Sequence, residues 1–390
     1  KKVDSSSSSS SSSGGGVGVG VGVEGGADPF FEYAREAVFS YLTKAYPSNP
    51  KGEGRTRALL KCVVATAAWV ALLGFALVHH WAWAFVAGFQ LISWGLVQFH
   101  DSSHYAFAGG ATRNQALTAL WCACSYWPPW LWHRHHVELH HGCTGDYERD
   151  PDLRHGAPFM RKTRHAPKER YLRLNAVCQT LAMAVSPGMY FGQTVHYQTV
   201  NFGLRRALWK MQNLFAPPSY AGFWWEPLLS LWFPAWISLL LSREGIVVAA
   251  LASLAYLLGA NVCYAANILP DHDTDTSHRN LQLLNKKKAH ASWAAKQVAA
   301  STNWAGPLWC FLFGGLNYQI EHHLFPRVHH SFYPEIAPIL KDACKRFDVP
   351  YVHYDSFFDA IAAVRRQLID AADDNDNDVQ DDNDLQKRSN

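Results

Sequence analysis

The sequence lacks the cysteine spacing of a structural metal site. None of its eight cysteines forms a Cys-x-x-Cys pair, and Cys122 and Cys124 lie too close together for ordinary zinc-finger spacing. Other cysteines stand in apolar surroundings, as free core thiols do: Cys62, Cys178, Cys263 and Cys310. Iron–sulfur and structural zinc centres are therefore not expected, and free thiols indicate a reducing compartment around the histidine clusters described below.

The chain also has little net charge, and charge is almost absent from several long stretches. A net charge of +3 over 390 residues argues against a nucleic-acid partner. Apolar residues fill the ranges 58–78, 81–99, 223–241 and 246–268, although Glu226-Pro227 weakens the third. About 20 apolar residues suffice to cross a hydrocarbon core as a helix. We therefore predict four transmembrane helices.

The connections between these ranges predict how they cross the membrane. Residues 79–81 and 242–245 are short enough for tight turns, so the four ranges form two helical hairpins. The long polar region 100–222 is rich in arginine and lysine, which marks the cytoplasmic side. The predicted fold is an all-α integral membrane protein whose cytosolic helical cap lies between and after the hairpins.

The ends of the chain differ from the predicted membrane domain, which covers 58–355. Residues 1–27 are of low complexity and residues 373–390 form an acidic tail, so both are expected to be disordered. Residues 28–57 predict an amphipathic segment that lies either on the membrane surface or on the protein body. Residues 356–372 predict a C-terminal amphipathic helix that begins with a Ser-x-x-Asp capping box.

Three clusters of histidines follow the apolar ranges, and they are the strongest functional signal. Their members are His100 and His104 in the first cluster, His136, His140 and His141 in the second, and Gln319, His322 and His323 in the third. Side chains three or four residues apart share one face of a helix, where they can meet a metal ion. Seven imidazoles and one carboxamide would supply two metals, but imidazole suits Zn, Cu, Fe and Ni alike.

Further polar residues near the clusters are candidates for the site or its surroundings. His272 follows the fourth apolar range and is placed to complete the site. Asn267 is expected either to cap the end of a helix or to hold a metal-bound water. Four other histidines are expected either to be additional ligands, to contact the ligands from outside, or to lie on the surface: His133, His135, His329 and His330. The nearby acidic residues are expected either to orient the ligand imidazoles or to be ordinary surface charges: Asp101, Glu138, Asp150, Asp152 and Glu321.

The three clusters resemble the histidine boxes of membrane fatty acyl desaturases. The matching motifs are His100-Asp101-x-x-His104, His136-x-x-x-His140-His141 and Gln319-x-x-His322-His323. A glutamine at the start of the third box is the mark of front-end desaturases, which act between an existing double bond and the carboxyl end. The likeness extends over roughly residues 55–355, and includes Thr144, Asp150-Pro151-Asp152, Gln297-Val298, Thr302-Asn303 and residues 314–318.

The resemblance implies two non-haem iron ions that activate O2 with two electrons from reduced cytochrome b5 and its reductase. It implies an acyl chain on a membrane lipid or acyl-CoA as substrate. It also implies a multi-pass protein of the endoplasmic reticulum membrane, or of a plastid membrane, whose metal site faces the cytosol. By resemblance the ligands are His100, His104, His136, His140, His141, His322 and His323, with His272 as a further candidate. Gln319 replaces a histidine of other desaturases, so its ligation stays open.

Two features depart from the family pattern. Many front-end members carry a fused cytochrome b5 domain with a His-Pro-Gly-Gly motif, but no His-Pro dipeptide occurs here. Either a separate cytochrome b5 supplies the electrons or such a domain precedes Lys1. The second box has three intervening residues where two are commoner.

Other functions compete with desaturation. A lipid hydroxylase or a sphingolipid desaturase would use the same iron pair, and Gln319 favours desaturation over hydroxylation. A metal transporter or sensor would place its ligands within the spans, near the membrane midplane. Here the histidines begin where the apolar ranges end, which disfavours transport.

Overall fold

The computed structural model describes residues 28–124, 129–147, 149–154, 161–165, 231–287 and 291–372. The two predicted disordered ends, residues 223–230 of the third apolar range and most of the basic region up to 222 lie outside these residues. Within the described residues the chain is mostly helical, as predicted. A single strand pair there joins Asn303–Trp304 in parallel to His353–Tyr354.

The described helices have the following bounds. In chain order they are α1 (Pro29–Ala45), α2 (Arg55–Val78), α3 (Trp83–Gln90), α4 (Val97–Ser103), α5 (Ala111–Cys124), α6 (Pro129–Trp132), α7 (His141–Cys143), α8 (Trp232–His272), α9 (Asp275–Lys287), α10 (Trp293–Ala299), α11 (Pro307–Phe313), α12 (Gln319–Leu324), α13 (Tyr333–Phe347) and α14 (Phe357–Ala372). Two π-helical segments, Leu91–Leu96 and His133–His140, and two 3-10 turns, Pro151–Arg154 and His330–Phe332, connect them.

Two helical segments of the described chain are long and apolar enough to cross a membrane, namely α2 and the segment that begins with α8 at Trp232. The outer side of α2 exposes large apolar side chains, among them Leu59, Leu60 and Val63. Helices α3 and α4, with the π-helical segment between them, form one unbroken helical stretch from Trp83 to Ser103. That stretch covers most of the second predicted span.

Helix α8 reverses its direction at Gly245. This residue has φ 83° and ψ 173°, which are not helical and which glycine adopts without strain. The ring of Tyr256 lies 5.9 Å from that of Trp232 and 6.1 Å from that of Trp236. In a straight helix residues 232 and 256 would be roughly 36 Å apart. The reversal falls within the turn predicted at 242–245.

A pair of glycines lets the second half of α8 approach α3 closely. A Cβ on Gly88 would lie 2.0 Å from the carbonyl oxygen of Tyr256, and a Cβ on Gly259 would lie 2.0 Å from that of Phe85. His100 lies twelve residues beyond Gly88, and His272 lies thirteen beyond Gly259. Because both histidines line the same cavity, this contact sets the spacing between two walls of the site.

The buried apolar residues form two clusters. One joins α2, α3, α5 and both halves of α8, and it includes Phe99, Trp132 and Leu316. The other joins α1, α10, α12 and α13, and it includes Ile320 and Leu324. The third histidine cluster therefore lies where the two apolar clusters meet.

Helix α1 packs on the protein body, which is the second of the two alternatives that its sequence allowed. The Asp28 side chain caps it by accepting the backbone N–H groups of Phe30 and Phe31. One face of the helix is buried against α13, where Tyr41 donates to Glu335 at 2.7 Å.

The C-terminal helix α14 begins with the predicted cap, since Ser356 Oγ accepts the backbone N–H of Asp359. It holds residues 161–165, which follow the second histidine cluster. Arg161 donates to the carbonyl oxygen of Ala371 at 2.6 Å, and Gln367 donates to that of Lys162 at 2.9 Å. The buried ammonium of Lys162 in turn binds Asp273 at 2.5 Å, just after α8.

Candidate metal centre

The second histidine cluster is built on a π-helix rather than on the expected α-helix. In the π-helix His133–His140, residues five apart face each other because each hydrogen-bonded turn holds one more residue. His136 Nε2 and His141 Nε2 consequently lie 3.2 Å apart. The sequence predicted a pairing of His136 with His140; the structure aims His136 and His140 at different groups.

Four imidazoles converge in what we call the His100 group, which comprises His100, His104, His136 and His322. All four are buried, and their ring nitrogens lie within 4.8 Å of one another. The ring centroids of His100 and His322 are 4.3 Å apart, and those of His104 and His136 are 5.2 Å apart. The first, second and third histidine clusters therefore each contribute to one group.

Three further imidazoles form the His140 group, which comprises His140, His272 and His323. Their ring nitrogens also lie within 4.8 Å of one another, and His272 Nε2 is 3.1 Å from His323 Nε2. His272, from the end of α8, thus takes the place that the sequence analysis suggested. His141 lies between the groups, with its Nε2 3.0 Å from His322 Nε2 and its ring stacked on that of His323.

The outer nitrogens of several imidazoles are held by the surrounding protein. The Nδ1 atoms lie close to polar atoms, as follows: His140 at 3.0 Å from Asp150 Oδ1, His272 at 3.0 Å from the Ala300 carbonyl oxygen, His322 at 3.2 Å from Tyr333 Oη and His323 at 2.7 Å from Gln297 Oε1. A hydrogen bond at one ring nitrogen fixes the tautomer and directs the lone pair of the other. The Nε2 atoms of His272 and His323 then face each other, and the Nε2 atom of His322 faces that of His141.

These imidazoles fit metal ions. Neutral imidazole has one N–H and one lone pair, and His141 Nε2 faces two other Nε2 atoms. Both ring nitrogens of His100 lack a hydrogen-bond partner among the described residues. Burial lowers the pKa of His100 to about 4 and that of His272 to about 3, and it lowers the pKa of His322 and His323 well below the usual value. The site therefore presents unprotonated nitrogens, which a cation would satisfy.

Two aspartates support the His140 group. Burial lowers the pKa of His140, but Asp152 and Asp150 outweigh burial and raise it to about 9, so the two carboxylates stabilise a positive charge at this ring, from a proton or from a metal ion that replaces it. Asp150 also accepts the backbone N–H of Gly145, and Asp152 lies 2.7 Å from His135 Nε2. His135 thus contacts a carboxylate and belongs to neither group.

A narrow cavity opens beside the histidines. Its polar wall includes His100, His136, His140, His272 and Gln319, and its apolar wall includes Trp132, Tyr264, Ile268 and Leu316. Tyr264, Ile268 and His272 are spaced four residues apart and share one face of α8. A ligand in this cavity would contact apolar side chains on one side and imidazoles on the other.

Comparison with known proteins assigns the chain to a family. The model of the fatty acid desaturase family matches residues 77–355, which include all three histidine clusters and His272. The chain belongs to the fatty acid desaturase family.

Several curated desaturases are similar to this chain. The acyl-lipid (7-3)-desaturase of Rebecca salina is 29% identical over 73% of this chain and 62% of its own length. The acyl-lipid (8-3)-desaturase of Physcomitrium patens is 30% identical over 71% and 57%, respectively. The sn-1 linoleoyl-lipid 6-desaturase of Synechocystis sp. is 26% identical over 74% and 83%. The chain spans about 60% of the length of the first two relatives.

A third polar cluster in this desaturase-family chain comprises Asp101, His329 and His330. His330 Nδ1 lies 2.5 Å from Asp101 Oδ2, and its Nε2 lies 3.5 Å from the ammonium of Lys61. The ammonium of Lys61 opposes a bound cation, so we interpret this cluster as a hydrogen-bonded network rather than a metal site. All three members are buried, which excludes the surface position considered for the two histidines. Asp101 does not hydrogen-bond His100, whose Nδ1 is 4.0 Å away.

Two other acidic residues, which were candidates for orienting the ligand imidazoles, make different contacts. Glu321 accepts hydrogen bonds from Asn303 and Tyr351, so it anchors the start of α12 instead of contacting a ring. Glu138 pairs with Arg134 on the surface of the π-helix and lies 3.7 Å from His133. Asn267 donates to the carbonyl oxygen of Cys263 one turn earlier, as a polar residue within a helix does.

Gln319 has contacts unlike those of the imidazoles. Its Nε2 donates to Asp271 Oδ2 at 2.8 Å, and Trp304 Nε1 donates to Asp271 Oδ1 at 3.0 Å. The sequence analysis missed Asp271 and Trp304 entirely, and it gave Gln297 and Tyr333 no role. The available signals were the position of Asp271 beside His272 and of Gln297 within a family motif.

Proposed function

We propose that the chain is a front-end fatty acyl desaturase that introduces a cis double bond on the carboxyl side of an existing one. Such a reaction belongs to polyunsaturated fatty acid biosynthesis. The observation that carries the proposal is the convergence of three histidine clusters and His272 into two buried groups of imidazoles. The names of the relatives support it, because they are acyl-lipid desaturases of the (7-3), (8-3) and 6 types.

We further propose that two non-haem iron ions occupy the two groups. The His100 group and the His140 group would each hold one, with His141 between them and Gln319 facing the same cavity. Bound iron would supply the activation of O2 and the removal of hydrogen from two neighbouring methylenes, with two electrons from cytochrome b5 and its reductase. The protein residues bind, orient and shield the reacting groups.

The apolar wall of the cavity would bind the acyl chain. Trp132, Tyr264, Ile268 and Leu316 offer apolar surface opposite the imidazoles, and they would contact the methylenes of an acyl chain after the narrow cavity widens to admit it. The positions of these side chains along the bound acyl chain would determine which of its carbons react. A membrane lipid or an acyl-CoA could carry the chain.

The membrane arrangement is part of the proposal. Four spans at 58–78, 81–99, 223–241 and 246–268 would place the histidine clusters on one face, toward the cytosol. The reversal at Gly245, the unbroken helical stretch 83–103 and the exposed apolar face of α2 support this arrangement. We propose the endoplasmic reticulum membrane; a plastid membrane is the alternative, since a (7-3)-desaturase relative from Chlamydomonas reinhardtii is named chloroplastic.

Expression in yeast tests the proposal. Cultures fed a panel of unsaturated fatty acids would be analysed as methyl esters by gas chromatography and mass spectrometry. A new double bond on the carboxyl side of an existing one supports the function, and a hydroxylated or sphingolipid-bound product would replace it with the corresponding alternative. His322→Ala should abolish the product. His79→Ala, at an exposed histidine in the turn after α2, is the matched control and should retain it.

The electron donor needs a separate arm of the same experiment. The chain would also be expressed with a cytochrome b5 domain fused at its N-terminus. A product that appears only with the fusion supports the proposed donor. No product in either form, from protein shown to contain two irons, would contradict the proposed substrate class.

A further inference from the structure

The carboxamide of Gln319 has one hydrogen-bonded end and one free end. Its nitrogen donates to Asp271 Oδ2 at 2.8 Å, whereas its oxygen has no partner among the residues that the structure describes. Gln319 is only 3% exposed and lines the cavity with His100, His136 and His272. A buried acceptor without a partner is unfavourable unless something in the cavity satisfies it.

Asp271 is itself held from two directions. Trp304 Nε1, which can only donate, occupies Oδ1 at 3.0 Å, and the backbone N–H of Thr302 donates to the Asp271 carbonyl oxygen at 2.8 Å. Because Trp304 occupies Oδ1, Oδ2 is the atom that accepts from Gln319, and the N–H side of the Gln319 carboxamide faces Asp271. The oxygen of Gln319 is thereby left on the cavity side.

We propose that Asp271 is a positioning residue that fixes Gln319 with its carbonyl oxygen toward the histidine-lined cavity. An oxygen there can face a cation or accept a hydrogen bond, whereas an N–H group would repel a cation. This inference rests on the proposed function, since it requires a metal in the cavity. It gives a direct role to Gln319, whose ligation the sequence left open, and an indirect role to Asp271.

Replacing Asp271 by asparagine should invert the carboxamide of Gln319 without disrupting the fold. Trp304 would require the oxygen of the introduced asparagine, so the amide nitrogen of that side chain would face Gln319. Gln319 would then turn its oxygen toward the introduced amide and its N–H toward the cavity. All hydrogen bonds stay satisfied, so we expect thermal unfolding of the variant close to that of the original chain. Cobalt(II) binding, measured on the purified protein, should weaken about 10–100-fold.

Two double variants decide whether Asp271 acts through Gln319. In Gln319→Leu protein, adding Asp271→Asn should cause no further loss of cobalt affinity, because residues that act through each other are non-additive. In the combination of Asp271→Asn with Gln319→Glu, the introduced amide can donate to one oxygen of the introduced carboxylate while the other oxygen faces the cavity. Cobalt affinity and the visible cobalt spectrum should then return toward those of the original chain.

A matched control separates orientation from charge. Asp275→Asn removes another carboxylate four residues away, but Asp275 pairs with the exposed Arg366 and does not contact Gln319. Its cobalt spectrum should match that of the original chain. Unchanged cobalt binding in Asp271→Asn, or additive losses with Gln319→Leu, would overturn the inference. Failure of the original chain to bind any cobalt or iron would instead overturn the proposed metal centre.

Discussion

Replacing Asp150 by asparagine should weaken one metal group and spare the other. Asp150 Oδ1 lies 3.0 Å from His140 Nδ1 and accepts the backbone N–H of Asp152 at 2.9 Å, while Oδ2 accepts that of Gly145 at 2.8 Å. Asparagine retains the shape and one acceptor oxygen. It removes the negative charge and sets an NH2 group against the N–H of Gly145.

The expected loss follows from the role of such carboxylates. Removing a partner that orients a ligand imidazole typically lowers metal affinity by about 10–100-fold, which is roughly 1.4–2.7 kcal/mol. His140 belongs to the His140 group alone, and Asp150 contacts no member of the His100 group. The affinity of the His100 group should therefore stay within about twofold.

Competition with a chromophoric chelator can measure both affinities. Metal-free protein in detergent would be titrated with cobalt(II), and the original chain should bind two equivalents. Asp150→Asn should bind one equivalent as before and the second more weakly. Asp146→Asn is the matched control, because Asp146 is a partly exposed carboxylate that pairs with Arg149. Equal weakening of both equivalents, or of neither, would refute the separation into two groups.

Three other changes test the supporting structure. Lys162→Met leaves Asp273 buried without its partner and should lower the free energy of unfolding by about 3–5 kcal/mol. Arg366→Gln, which removes the exposed pair with Asp275, should lower it by less than about 1 kcal/mol. Thermal unfolding measures both changes. Burial raises the pKa of Glu321 to about 7, so the folded state binds a proton more readily and its stability falls as pH rises from about 4.5 to 7; Glu321→Gln should lose that part of the pH dependence. Leu316→Phe adds volume to the apolar wall and so narrows the cavity. It should change the position of the new double bond or the chain length of the product in the yeast assay, while the iron content of the protein stays the same.

The sequence predicted which histidines would lie close together, because their positions relative to the apolar ranges are local features. Polar side chains at spacings of three or four residues, placed where apolar ranges end, predicted a shared metal site before any contact was known. His272 could be proposed from its position after the last apolar range. The structure brings it within 3.1 Å of His323, which comes from a different helix.

The sequence could not predict how individual rings are aimed. The π-helix at His133–His140 depends on packing around it, and helical periodicity alone led to the α-helical pairing of His136 with His140. The partners of the rings come from distant segments, as Gln297 does for His323 and Tyr333 for His322. Such contacts are set by tertiary structure. The same applies to α1, whose periodicity fitted a membrane surface and a protein surface equally.

The attachment of α14 to residues 161–165 has a consequence for biosynthesis. Arg161 and Lys162 are fixed by groups that lie about 200 residues later, at Ala371 and Gln367. Residues 161–165, which follow the first two histidine clusters, therefore leave the ribosome long before the contacts that fix them can form. Metal insertion should follow translation of nearly the whole chain, and a truncation before α14 should yield a protein that inserts into the membrane but retains little iron.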